Sequence, residues 1–257
     1  MLKRIRYECN LFFLALGFFS RIPMPPKVSY SPQLLNRSSR YYTLVGWLLG
    51  LLVAGVFWLS SLVFSPSISV WLAMAFSLLL TGVFHEDGLA DTADGFGGAF
   101  AREKKLTIMK DSRIGSYGSA ALIMVLLGKY LFLIESTDII TAILVAYPLS
   151  RAVSGTLIFD MHYVADTDTS KSKPLANQQS WRDCALLLLW CLPALLLVSW
   201  QVFGLLIIVL ILARQLLKAF FNRQIGGYTG DCLGAAQQVC ELVIYATLIA
   251  AITSLSV

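Results

Sequence analysis

Polar and apolar residues are segregated along this chain into long apolar windows separated by short polar intervals. The windows fall at about 41 to 63, 69 to 84, 115 to 134, 139 to 159, 184 to 199, 203 to 221 and 233 to 255. About 20 apolar residues in helical conformation cross a hydrocarbon layer about 30 Å thick, so each window reads as a spanning helix. The pattern predicts an all-α fold: a polytopic transmembrane helix bundle of about seven spans, with residues 1–257 forming a single integral membrane domain. Within 184 to 221 the break rests on Ser199, Trp200, Gln201 and Gly204, a weak turn signal, and one long tilted helix is the alternative. The opening MLKRIRYECNLFFLALGFFSRIPMPP has a basic start and an apolar stretch of signal-peptide length. It lacks a small-x-small cleavage site and runs straight into Arg21, Pro23, Pro25 and Pro26, so a retained amphipathic or re-entrant segment is expected.

Composition agrees with the pattern. Of 257 residues, 57% are hydrophobic and 14% charged, and the mean hydropathy is +0.72. Globular chains carry about 25% charged residues, so this balance excludes an ordinary soluble domain. The net charge of +5 would point to nucleic acid in a soluble protein. In a membrane protein, basic residues first set orientation, and no nucleic-acid partner is expected. Lys and Arg gather near the N-terminus and within 102–113, 171–182 and 214–223, whereas the connections near 64 to 68, 135 to 138 and 199 to 202 have none. That alternation predicts an inner-membrane protein with its N-terminus inside and its C-terminus outside. The long polar segments 85 to 114, 160 to 183 and 222 to 232 then share the cytoplasmic face. The five cysteines form no close pair and read as small buried hydrophobes.

The densest polar signal is HEDGLADTADGFGG, His85 to Gly98. Asp87, Asp91 and Asp94 stand at i, i+4 and i+7, which at about 100° per residue puts three carboxylates within about 60° on one helix face. Such charges repel one another at a membrane edge, and a divalent cation reverses that cost; hard oxygen ligands select magnesium, manganese or calcium. Magnesium usually completes its shell with substrate phosphates, so a diphosphate substrate is expected. The bland alternative is a set of solvated helix-end acids. His85 falls about 160° from the aspartates and suits interfacial or hydrogen-bonding work better than ligation.

A second cluster, Arg102 to Ser119, begins with an amphipathic stretch whose Arg102, Lys104 and Lys105 suit lipid headgroups. Lys110, Asp111, Arg113, Gly115, Ser116 and Gly118 then occupy the entrance to the next helix, where cations and amide N–H groups make a phosphate site. Arg151 interrupts an apolar span, a costly placement that marks function, although snorkelling at a helix end is the alternative. In NRQIGGYTGDCLGAA, Asp231 opens the last window as metal ligand or simple N-cap. The 160 to 183 segment, with Asp160, His162, Asp166, Asp168, Lys171 and Lys173, is a substrate lid or a solvated loop. Gly46, Gly50, Gly226 and Gly227 permit close helix packing, within one chain or between chains.

Together FFSRIPMP, HEDGLADTADGFGG, LTIMKDSRIGSYG and GGYTGDCLGAA, in this order, resemble the cobalamin synthase family of adenosylcobinamide-GDP ribazoletransferases. The family's acidic motif matches Glu86, Asp87, Asp91 and Asp94, its second motif Lys110, Asp111, Arg113 and Gly115, and its TGD element Thr229, Gly230 and Asp231. The resemblance implies a membrane transferase using Mg2+, with Mn2+ as alternative. It joins alpha-ribazole, or its 5′-phosphate, to adenosylcobinamide-GDP and releases GMP. On that reading Asp87, Asp91, Asp94 and Asp231 hold metal, Asp111 or Glu86 is the base, and Lys110, Arg113, Gly115, Ser116, Arg151 and His85 contact substrate. Membrane lipid is a partner, as is a second copy or another cobalamin-assembly enzyme. The rivals are a CDP-alcohol phosphotransferase, disfavoured because LADTADG rather than a nearby arginine follows Asp87 and Gly88, and a corrinoid or cation transporter, whose acids belong near mid-membrane.

Overall fold

The computed structural model describes residues 1–165 and 176–255. Asp166, Asp168, Lys171 and Lys173 of the expected lid lie outside them. Twelve α-helices follow one another: α1 Leu2–Phe19, α2 Pro32–Ser38, α3 Tyr42–Ser61, α4 Pro66–Thr81, α5 Phe84–Gly98, α6 Arg102–Met109, α7 Ser116–Glu135, α8 Ile139–Asp160, α9 Trp181–Leu189, α10 Leu192–Leu195, α11 Trp200–Ile225 and α12 Gly230–Leu255. The all-α expectation holds. Five helical stretches are long and apolar enough to cross a membrane, or six if the bent pair α4 and α5 counts as one.

The expected span at 184 to 199 is corrected. α9 has 9 residues and α10 has 4, and at 1.5 Å per residue neither reaches half the hydrocarbon thickness. The turn at Ser199 is firmer than its composition implied, because the Ser199 side chain accepts the N–H of Val202 and caps α11. The window at 69 to 84 is also interrupted. Gly82 and Val83 both take positive φ, 65° and 63°, and α5 leaves α4 at 84°. The Val83 N–H closes on the Leu78 carbonyl at 3.0 Å, terminating α4. A β-branched residue in this conformation is strained by roughly 1–3 kcal/mol, and the strain sits two residues before the acidic motif.

α8 is the centre of the bundle, with 83% of its window buried. A β-carbon at Gly46 would overlap the backbone of Tyr147 and Pro148, so the small residues of α3 serve packing against α8 within this chain. Among α5, α7, α8 and α12 lies a buried polar network. The Lys129 ammonium is 3.1 Å from the Glu241 carboxylate, which also accepts from Gln237 at 2.6 Å and from the Tyr245 hydroxyl at 3.1 Å. Gln238 donates to Glu86 at 2.9 Å and to Gln237 at 2.8 Å. Arg151, 2% exposed, donates to the Tyr147 carbonyl at 3.0 Å. Charges inside a bilayer persist when each is paired or hydrogen-bonded, and here two cations face two carboxylates. Lys129 and Glu241 carry no motif and vanish in windows that average out as apolar; the rule that flags Arg151 applies equally to them.

Candidate active site

Two glycines decide where α5 meets α12. A β-carbon at Gly88 would overlap the backbone of Asp231, and one at Gly234 would press on the His85 carbonyl and Gly88. The helices therefore cross in near backbone contact, which sets Asp231 beside the aspartates of α5. Asp87, Asp91 and Asp231 line a single cavity of about 420 Å³, together with Lys110, Asp111, Ser112, Thr229 and Gly230. The hydroxyl of Thr229 accepts the Cys232 N–H at 3.3 Å. Thr229 is thus the cap of α12, and its hydroxyl also donates to Asp231 Oδ2 at 3.3 Å. An isolated bridge joins the lining residues Tyr163 and Tyr228: Val164 donates to the Tyr228 carbonyl at 3.0 Å and Tyr228 to the His162 carbonyl at 2.9 Å. Tyr163 lines the cavity there, and burial, reinforced by the negative Asp231, pushes its phenol up to about 12, so it remains a neutral donor.

Asp94 has another task. Its two oxygens accept the N–H groups of Gly115 at 2.7 Å and Gly118 at 2.8 Å. A carboxylate at a helix N-terminus satisfies orphan donors and offsets the positive end of the helix dipole. β-carbons at Gly115 or Gly118 would overlap that carboxylate, which is why the segment reads GSYG. The anion at the start of α7 is therefore Asp94 itself, in place of the expected substrate phosphate, and Gly115 contributes its amide to Asp94. Ser116 is exposed as the first residue of α7. Arg113 is exposed and folded onto Asp111, with Nη2 to Oδ2 at 2.6 Å.

Glu86 and Arg151 are absent from the cavity wall. Glu86 is buried and bonded to Gln238, and Arg151 belongs to the same inner network. One residue on a helix turns a side chain by about 100°, so Glu86 and Asp87 face different neighbours. His85 does line the cavity, stacked on Phe19 with ring centroids 5.3 Å apart.

The oxygen donors of Asp87, Asp91 and Asp231 suit a hard divalent cation, whereas Asp94 is already engaged. Among the described residues, no three His, Cys, Asp or Glu side chains are gathered closely enough to hold a metal by themselves.

Comparison with known proteins decides the family. The model of the family described as cobalamin-5-phosphate synthase matches residues 11–249. The chain belongs to that family. Relatives named adenosylcobinamide-GDP ribazoletransferase include one from Vibrio cholerae serotype O1, 55% identical over 96% of this chain and 95% of its own length. Others are from Vibrio parahaemolyticus, 51% identical over 96% and 94%, and Shewanella oneidensis, 51% identical over 94% of each chain. No solved structure matches. Family membership over nearly the whole chain removes the CDP-alcohol and transporter rivals, and the protein is a multi-pass membrane enzyme of cobalamin synthesis.

Proposed function

We propose that this enzyme joins the ribose of alpha-ribazole, or of its 5′-phosphate, to adenosylcobinamide-GDP and releases GMP. The observation that carries the reading is the convergence of Asp87, Asp91 and Asp231 with Lys110 and Asp111 on one cavity. In the reaction a ribose hydroxyl oxygen bonds to the phosphorus on the corrinoid side of the diphosphate. The bond from that phosphorus to the bridging oxygen breaks, and its electron pair leaves with GMP. Such transfers depend mainly on positioning and charge neutralisation. Lys110 holds phosphate oxygens as a point charge. Asp111, which lines the cavity, takes the hydroxyl proton in preference to Glu86, which does not. The residues that would hold Mg2+ or Mn2+ are Asp87, Asp91 and Asp231, and the ion would supply neutralisation of the diphosphate charge.

The reading includes an inner-membrane location with the cavity toward the cytoplasm. The exposed Arg102 and Lys104 of α6 support it, since they precede the cavity residues Leu106, Met109 and Lys110, whereas Lys105 is buried and donates to Gln224 instead of facing headgroups. The test is to give the protein in lipid vesicles adenosylcobinamide-GDP and alpha-ribazole. Equal amounts of GMP and cobalamin product are expected, and folded protein that releases neither would overturn the proposal.

A further inference from the structure

The cavity has a second end that the phosphate chemistry leaves unused. Phe18, Phe19, Tyr42, Phe84 and His85 line that part of it. The rings form one continuous set: Phe19 to Tyr42 is 4.6 Å between centroids and edge-on, Phe18 to Phe84 is 4.8 Å and edge-on, and Phe19 lies nearly parallel to His85 at 8°. Two polar atoms in this set have no hydrogen-bond partner, the Tyr42 hydroxyl and His85 Nε2. The residues are 2% and 3% exposed. Buried hydroxyls and imidazole nitrogens are nearly always satisfied, so two exceptions on residues that line one cavity and both pack on Phe19 mark a place where a ligand supplies the partner.

Three kinds of occupant are compatible with an aromatic wall. An acyl chain would leave both polar atoms unsatisfied. Guanine presents an amide, an amino group and ring nitrogens along its edges, more hydrogen-bonding groups than two atoms can serve, and unpaired groups in a dry pocket are costly. A benzimidazole nucleoside presents a flat apolar ring with one bare ring nitrogen, and its ribose oxygens lie close by. Two partners suffice for that nitrogen and one sugar oxygen. We infer that the Phe18, Phe19, Tyr42, Phe84 and His85 end of the cavity binds the base of the benzimidazole nucleoside, with Tyr42 and His85 hydrogen-bonding it. The inference rests on the proposed transfer for the identity of the two substrates. It adds which end each one occupies: the ribazole base among the rings, and the diphosphate at Asp87, Asp91, Asp231 and Lys110.

The subsite is tested with Tyr42→Phe and His85→Phe, which keep ring volume and delete one polar atom each. Because those atoms have no partner in the free protein, neither variant is expected to lower thermal stability, and a slight rise is expected. Binding of alpha-ribazole to protein in detergent, followed by calorimetry without turnover, is expected to weaken about tenfold in each variant. Binding of GDP is expected to be unchanged. Weakened GDP binding with unaltered ribazole binding would put guanine among the rings and overturn the inference. So would unchanged binding of both, or a loss of stability showing that the two atoms serve the fold. Since the readout is binding, wild-type protein that binds ribazole at this site yet forms no cobalamin would refute the proposed reaction and leave the subsite standing.

Discussion

Glu86 and Asp87 are adjacent in sequence and end in two polar regions built on different principles. Asp87, with Asp91 and Asp231, faces an open cavity in which like charges stand together. Glu86 faces inward to a network in which Lys129 and Arg151 stand against Glu241 and Glu86 itself, with Gln237 and Gln238 between them. In the inner region Lys129 is set against Glu241 and Gln238 against Glu86, while Glu86 Oε2, Arg151 Nε and Gln238 Oε1 have no hydrogen-bond partner among the described residues. In the cavity Asp87, Asp91 and Asp231 share the lining with Lys110 and border space that a ligand can enter. The inner cluster is closed in among helices, and the other lies where a ligand can reach it.

The comparison can be broken most decisively from the inside. Lys129→Met strands Glu241 among apolar helices and is expected to cost about 3–5 kcal/mol of unfolding free energy, most of it recovered when Glu241→Leu is added. Denaturation curves of the single and double variants check this; equal stability of all forms would reduce the network to coincidence. The next largest effect belongs to the cavity. Asp87→Asn, or EDTA treatment of the wild type, is expected to lower turnover about 10²–10³-fold while thermal unfolding stays unchanged. A variant that keeps full turnover, or loses activity only by unfolding, would show that the two regions do not differ as described.

Gly118→Ala tests the junction between them. Its methyl group would push the Asp94 carboxylate off the start of α7. About 1–3 kcal/mol of stability is expected to be lost, together with activity, as the segment carrying Lys110 and Asp111 shifts. Unaltered stability would mean that the Asp94 clamp is dispensable. The smallest effect is expected at Glu86→Gln, which preserves an oxygen for Gln238 and should cost about 1 kcal/mol and leave turnover within about threefold. A collapse of activity there, in a steady-state assay at matched folded protein, would return Glu86 to the reaction.

Much of this was legible in sequence. Windows of apolar length specify helices because an unpaired backbone in lipid is prohibitive, and α3, α7, α8, α11 and α12 appear within a few residues of where those windows fall. The motif acids were legible because charge is scarce. The 84° bend was hidden, because nothing in the local composition forces Val83 into a left-handed conformation. The two short helices were hidden because the 184 to 199 window is apolar enough to span; what shortens it is the break after Leu189 and the cap at Ser199. Lys129 and Glu241 were hidden by averaging.

The chain alone therefore determined what kind of groups the protein carries: membrane helices, a set of carboxylates spaced on one face, and cations at a helix entrance. Tertiary structure decided which of them meet. Asp94 matches the helical face of Asp87 and Asp91, yet the Gly115 and Gly118 amides claim it, and Asp231 joins the cavity from far along the chain. Spacing along a helix fixes direction but not what stands opposite. A carboxylate's role is set by whichever donor or charge the neighbouring helix brings within reach.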